Sequence, residues 1–456
     1  MIKSTLSTYH CKNDRILTLL TLTLLLFFSS CSKNEQLQPE GSAIVKLEET
    51  SNFFISKKDV VKLLSVDIVS RIDQNARTAA LPKKAVENIS DFVDQDGQVI
   101  CYIINYKDSL GYTVLSADRR LKPILAFSEK GNLSSKTDNP GLLLWFDFVR
   151  ENFKGVQKDK IANIDVVNYW KQLESGPDGK RINPAPEWTP ELSCEWFVTN
   201  PIPTNLTIEH LTDTYSFWRQ GTGYNYYCPA GQSALNCNFE CNKAVTGCGP
   251  VAVGQVLRYH KKPVTINGHS YTTSMFDAMP RTLSLSNCNP TNQSHLDVAR
   301  LLRDAGEKLG VVYNTPIPGP IPGTLISGSG CQSWNLPGHT DNFFSDLGFT
   351  SYDCDFFNCN DVVPELRARR PVVVFGSNCN ICLNNQHIWV MDGIKELYAI
   401  FNDLNGFCYE NRAMYFQMNW GWQNNAENAG WFTYTGITGS GTLYNSANMK
   451  AYIVRP

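Results

Sequence analysis

The sequence predicts two α+β domains joined by a linker, and three observations carry that reading. In the C-terminal half, helical patterns come first and strand patterns later, the order expected of an α+β domain with an antiparallel sheet. A shorter run of helix, strands and helix lies N-terminal to it. Between the two, Ser175 to Pro190 is the densest stretch of proline, glycine and charge in the chain. With 456 residues, 42% hydrophobic and 18% charged, the composition is that of a folded protein. The net charge of −2 lacks the basic footprint that nucleic-acid binding requires, so no nucleic-acid partner is expected.

In chain order, Lys3, Lys12 and Arg15 precede an apolar run from Ile16 to Phe28. That run is shorter than the roughly 20 residues needed to cross a bilayer, but it suits a secretory signal over residues 1–30. It ends in Phe28-Ser29-Ser30-Cys31, which resembles a bacterial lipobox. The resemblance implies cleavage before Cys31, acylation of its thiol, and residues 31–41 as a tether. Export as a bacterial membrane lipoprotein, at the outer membrane or cell surface, is the expectation.

Residues 42–174 form the smaller domain. Ser56 with Asp59 caps a helix carrying Val60, Leu63, Leu64, Ile68 and Ile72. Strands follow at Val99 to Tyr106, Tyr112 to Ser116 and Ile124 to Phe127, then a helix from Gly141 to Phe153. The 175–200 linker is the place where a protease would nick the chain. In the larger domain, 201–456, helices are expected at Gly249 to His260 and His295 to Leu309. Strands are expected at Pro371 to Phe375, His387 to Met391, Met414 to Trp420, Trp431 to Tyr434 and Ala451 to Val454.

Twelve of the fifteen cysteines lie from Cys194 onward. An exported chain meets oxidising conditions, so most are expected in disulfides. If Cys248 is free, an odd number remains in this half, and at least one more is free or pairs outside it. The Cys379/Cys382 and Cys354/Cys359 pairs have ligands that suit zinc, but their irregular spacings favour disulfides. No metal or cofactor is expected.

Cys248 sits in Thr246-Gly247-Cys248-Gly249-Pro250, where a helix begins one or two residues later. A thiol at a helix N-terminus feels the positive end of the helix dipole, which favours the thiolate. A nucleophile there needs a base, and the chain has seven histidines. His10 is in the leader. His260, twelve residues along the same helix, is roughly 18 Å away. His210, His269 and His295 occupy polar or turn-like stretches without a strand to hold them, and His339 follows Pro337-Gly338 in a loop. His387 opens an alternating strand and lies 139 residues beyond Cys248, within the roughly 130–150 spacing of papain-like enzymes. Asn419 ends the next strand, where its amide oxygen can orient the imidazole. Cys331, in Gly330-Cys331-Gln332-Ser333-Trp334, echoes a nucleophile motif, but Pro337 and Gly338 deny it a helix.

Together these segments resemble the streptopain family of bacterial cysteine peptidases, which have a papain-like fold. Thr246-Gly247-Cys248 with Gln255 to His260 is similar to the nucleophile segment. Gln386 to Gly393 is similar to the histidine strand, and Asn419-Trp420-Gly421-Trp422 to the asparagine-tryptophan motif. Trp218-Arg219-Gln220 resembles the segment supplying the oxyanion-hole glutamine, here Gln220. Tyr112 to Asp118 with Pro123 to Ser128 resembles the family's pro-domain. Departures are Gln386 before the histidine, Gly249-Pro250 after the cysteine, and Gln423-Asn424-Asn425 after Trp422.

The resemblance implies a zymogen in which the first domain inhibits the second until the linker is cut. It implies hydrolysis of protein or peptide substrates by a Cys248–His387 pair, with Gln220 in the oxyanion hole, Asn419 orienting His387 and Trp420 shielding that bond. The alternative class is a surface lipoprotein that keeps the peptidase fold as a binding or inhibitory module without turnover.

Overall fold

The computed structural model describes residues 44–46, 53–64, 84–159, 161–163, 166–167, 170, 173–174, 206–209, 211, 218–230, 240–283, 288–313, 333–335, 338–378, 386–402, 408–422, 430–434, 444 and 448–456. The leader, Cys31 with its tether, the 175–200 linker, Ile68 and Ile72 lie outside the described residues.

In the N-terminal half, β1 (Ile44–Lys46) pairs with β6 (Ile161–Asn163). Helix α1 (Lys57–Leu64) starts at the expected reciprocal cap. The Ser56 N–H and hydroxyl donate to Asp59 Oδ2 at 3.0 and 2.6 Å, and the Asp59 N–H returns to Ser56 Oγ at 3.3 Å. An antiparallel meander follows: β2 (Val86–Val93), β3 (Val99–Tyr106), β4 (Tyr112–Ser116) and β5 (Ile124–Ser128). Strands β3 to β5 are buried almost throughout, because α2 (Pro140–Asp159) supplies apolar cover. Helix α2 extends beyond the expected limits at both ends. Pro140 suits a first helical position, and Asn139 Oδ1 accepts the N–H groups of Gly141 and Leu142. The sequence reading passed over β2, because its one buried apolar residue is Phe92.

The C-terminal half begins with β7 (Leu206–Ile208). Its helices are α3 (Cys248–His260), α4 (Thr273–Ala278), α5 (Gln293–Lys308), α6 (His339–Ser345) and α7 (Val362–Arg367). A small hairpin pairs β8 (Val264–Ile266) with β9 (His269–Tyr271). The remaining strands are β10 (Thr350–Asp355), β11 (Val372–Ser377), β12 (Gln386–Asn402), β13 (Cys408–Asn419), β14 (Trp431–Phe432) and β15 (Asn448–Arg455).

Two expectations are corrected, both about histidines. His269 does have a strand, β9, and its Nδ1 meets the buried carboxylate of Asp304 at 2.8 Å. His339 opens a helix rather than sitting in a loop. The Cys354/Cys359 pair is the disulfide that its spacing favours over a zinc site, and Cys241–Cys288 is a second. Among the described residues Cys101, Cys228 and Cys248 are free.

The largest departure is that the two halves share one sheet. Its strand order is β10-β15-β11-β12-β13-β14-β5-β4-β3-β2, with β7 also paired to β12. The seam is β14, which pairs with β13 on one side and with β5 on the other, Trp431 opposite Phe127 and Phe432 opposite Ala126. Side-chain alternation along β12 then divides the interior. Trp389 and Met391 join the core shared with α2, while Ile388 and Val390 join the core of α3 and α5. His387, the second residue of β12, therefore lies at the boundary between the two cores.

Candidate active site

Cys248 is the first residue of α3 itself, a residue or two earlier than expected. Its half-buried sulfur faces the main-chain N–H groups of Ile388, Gly249 and Cys248, which favour the thiolate. Burial outweighs them and pushes the thiol above its ordinary range.

His387 pairs with Gly376 of β11 and is buried. Desolvation pushes its imidazole down to about 4, opposed by a 2.7 Å hydrogen bond from Nε2 to the carbonyl of Trp420. A carbonyl can only accept, and a neutral ring carries one proton, so that proton is on Nε2 and Nδ1 keeps its lone pair. Trp389 lies nearly parallel to the ring at 6.0 Å between centroids, and Trp422 stands edge-on at 6.0 Å. Among the described residues no hydrogen bond joins His387 to Cys248. Burial thus disfavours the charged form of both groups.

Asn419 ends β13 opposite Val390. Its Nδ2 donates to Gln255 Oε1, and its Oδ1 accepts from the Gly421 N–H at 3.4 Å. The imidazole N–H that the sequence reading assigned to Asn419 goes to the carbonyl of the next residue. Trp420 is fully buried behind the ring, with Trp389 at 5.2 Å and Phe432 at 5.4 Å. The carbonyl of Gln220 accepts from Thr246 N–H at 2.9 Å, which ties its segment to the residues leading into Cys248.

Gln220, Cys248 and His387 line one cavity of about 530 Å³, with Trp420 bonded to the histidine from behind through its carbonyl. The opposite wall belongs to the N-terminal half, including Phe92, Leu143, Phe146 and Arg150. The tip of α2 makes the closest approach. A Cβ on Gly141 would lie 2.2 Å from the Trp420 ring and 3.0 Å from His387 Cδ2, so only glycine fits there. Beside it the Trp422 indole N–H donates to Asp138 Oδ1 at 3.2 Å. Three residues of this site have no role assigned from the sequence. Gly141 and Asp138 carry no local signal, because their partners are nearly 250 residues or more away. Gln255 carries a faint one, as an amide within the apolar run of α3.

A helix-borne thiol, a strand-borne imidazole and an N-terminal domain built over their cleft define a papain-like cysteine peptidase preceded by a pro-domain. Residues 218–432 match the Peptidase C10 family and residues 51–153 match the Spi protease inhibitor, which supports a streptopain-like cysteine peptidase with an N-terminal pro-domain. Among curated proteins, the thiol protease/hemagglutinin PrtT of Porphyromonas gingivalis is 23% identical over 176 residues. That alignment covers 38% of this chain and 16% of PrtT. Among solved structures, a mutant prointerpain A fragment from Prevotella intermedia is 19% identical with a TM-score of 0.48, covering 81% of this chain and 98% of that one. The active wild-type interpain A cysteine protease of the same organism is 19% identical with a TM-score of 0.35, covering 54% and 94%.

Proposed function

We propose that the protein is an exported, lipid-anchored cysteine endopeptidase made as a zymogen, with residues 42–174 as pro-domain and 201–456 as peptidase. The observation that carries this is the shared cavity. Nucleophile, base and amide converge on one wall, and the other wall is the N-terminal half of the same chain.

In this reading the structure is the latent form. Departure of the pro-domain lets water reach the cleft, which raises the affinity of His387 for a proton and lowers that of Cys248. The proton passes from sulfur to Nδ1, giving a thiolate–imidazolium pair. The thiolate attacks the scissile carbonyl carbon, and the oxyanion is met by the Gln220 side chain and the Cys248 N–H. The imidazolium protonates the leaving amine, and a thioester remains. His387 then deprotonates water, which attacks the thioester and expels the sulfur. Asn419 orients the imidazole in the active form, and Trp420 keeps water from that bond. Substrates are proteins or peptides, the pro-domain is an intramolecular inhibitor, and Cys31 attaches the chain to a membrane. Cutting within 175–200 releases the block.

Labelling with an epoxide-type thiol inhibitor, followed by peptide mapping, tests this. The expected result is modification of Cys248, slow in the full-length chain and fast after maturation. Label on another cysteine, or a Cys248→Ala variant that still hydrolyses peptides, overturns the reading. Mass spectrometry of membrane-released material checks the anchor, and an unmodified Cys31 rejects it.

A further inference from the structure

Gln255 is an anomaly in its surroundings. It lies in α3 among Val251, Ala252, Val253, Val256 and Leu257, all buried, and it is itself buried at 1% exposure. A buried amide costs free energy unless its hydrogen bonds are made. This one makes a short bond through Oε1 to Asn419 Nδ2, while its own Nε2 has no partner. Packing alone would favour an apolar residue here. Seven residues at about 100° each bring Gln255 back to nearly the same side of the helix as Cys248, about two turns deeper.

The turn that Gln255 holds also touches α3 one helical turn nearer the nucleophile. Gly421 has φ +61°, and a Cβ there would lie 2.9 Å from Val251 Cγ1. Asn419-Trp420-Gly421 is thus seated on Val251 and Gln255, which are four residues apart and share a helix face. From that turn the Trp420 carbonyl reaches His387 Nε2 at 2.7 Å.

We infer that Gln255 is a positioning residue of the peptidase reaction, fixing the Asn419–Gly421 turn to the helix that carries the nucleophile. One rigid element then sets both Cys248 and the groups that orient His387. Because Oε1 only accepts, it turns the Asn419 amide so that NH₂ faces α3 and Oδ1 is left on the other side, where it accepts from the Gly421 N–H. The inference rests on the proposed role of Asn419 as orienter.

The test starts from full-length chain matured by limited proteolysis, with kcat, KM and the pH dependence of kcat/KM measured on a peptide substrate. Gln255→Met, similar in volume and without the acceptor, is expected to lower kcat by about tenfold to 10²-fold. KM stays within about twofold of the wild-type value, and the limb of the pH profile assigned to His387 shifts. Gln255→Glu keeps a carbonyl-type acceptor and is expected to recover most of the lost kcat. Combined with Asn419→Ala, Gln255→Met adds no further loss, because both act through one turn. Unchanged kcat and pH profile in Gln255→Met overturn the inference. So does an equal loss in Gln255→Glu, or a loss that simply tracks the folded fraction. If Gln255→Met does not fold, Gln255→Ala, which leaves space instead of filling it, gives the same readout. Asn419→Ala with full kcat overturns the orienter role as well. An impaired Asn419→Ala beside an unimpaired Gln255→Met overturns only the role of Gln255.

Discussion

Two of the places where the N-terminal half meets the C-terminal half, the sheet seam and the cleft, are built differently. At the sheet seam, β5 and β14 exchange main-chain hydrogen bonds and large side chains close over them. Trp145 stacks edge-on to Phe432 and donates its indole N–H to the Thr433 carbonyl at 3.0 Å, while Tyr415 donates to the Ile124 carbonyl at 3.2 Å. At the cleft the same halves enclose a cavity of about 530 Å³ and touch closely where Gly141 rests on Trp420 and His387. The seam joins the halves by main-chain pairing and packed aromatic side chains, whereas at the cleft a cavity remains and close contact narrows to the tip of α2. If the first domain is the inhibitor proposed above, that tip blocks the histidine without filling the cavity.

The comparison can be broken at either place. The largest effect is expected at the seam. Trp145→Ala removes a fully buried indole and its hydrogen bond, costing about 3–5 kcal/mol in urea unfolding of the full-length chain. A loss below about 1 kcal/mol would mean that the seam does not hold the halves together.

Acid comes next, acting on the cleft. His387 sits at about 4 in the folded chain against an ordinary value of 6.5, so the unfolded chain binds more protons between those values. The stabilisation is complete above about pH 6.5 and is lost as pH falls through about 4. His260, also pushed down to about 4 by burial, adds in the same direction. Urea midpoints should fall across that window, and His387→Gln should flatten part of the slope but not all of it. A pH-independent midpoint would contradict the buried neutral ring.

Gly141→Val attacks the tip alone. Overpacking typically costs about 1–3 kcal/mol, which converts to roughly five- to 150-fold faster alkylation of Cys248 in uncleaved protein. The seam should be untouched, so the halves stay associated on a sizing column. Unchanged alkylation would remove the tip from the account of latency. The smallest effect belongs to Asp138→Ala, which deletes the bond from Trp422. About 0.5–1 kcal/mol is expected, read as a rise of a few-fold in the same alkylation rate.

Much of this was legible in the sequence because it is local. The cap of α1 depends on residues three apart, α3 on an apolar stripe, and β3 to β5 on short apolar runs bounded by turns. Residue type and order single out Gln220, Cys248, His387 and Asn419; the first three line one cavity, and Asn419 is bonded to Gln255 on the helix that carries Cys248. Strand β2 was missed because a half-exposed strand with one buried apolar residue has little periodicity to read. His269 was misread because two three-residue strands leave almost no pattern.

What the sequence determined by itself is which chemistry-bearing groups exist and which local elements carry them, since helix dipoles, caps and alternation act over a few residues. Tertiary structure alone decided that a two-residue strand fuses the two halves into one sheet. It also decided that His387 donates to the Trp420 carbonyl, that Gln255 grips Asn419, and that residue 141 must be glycine. Each of these joins segments separated by 33 to about 300 residues, and chain closure over such distances leaves no trace in local composition.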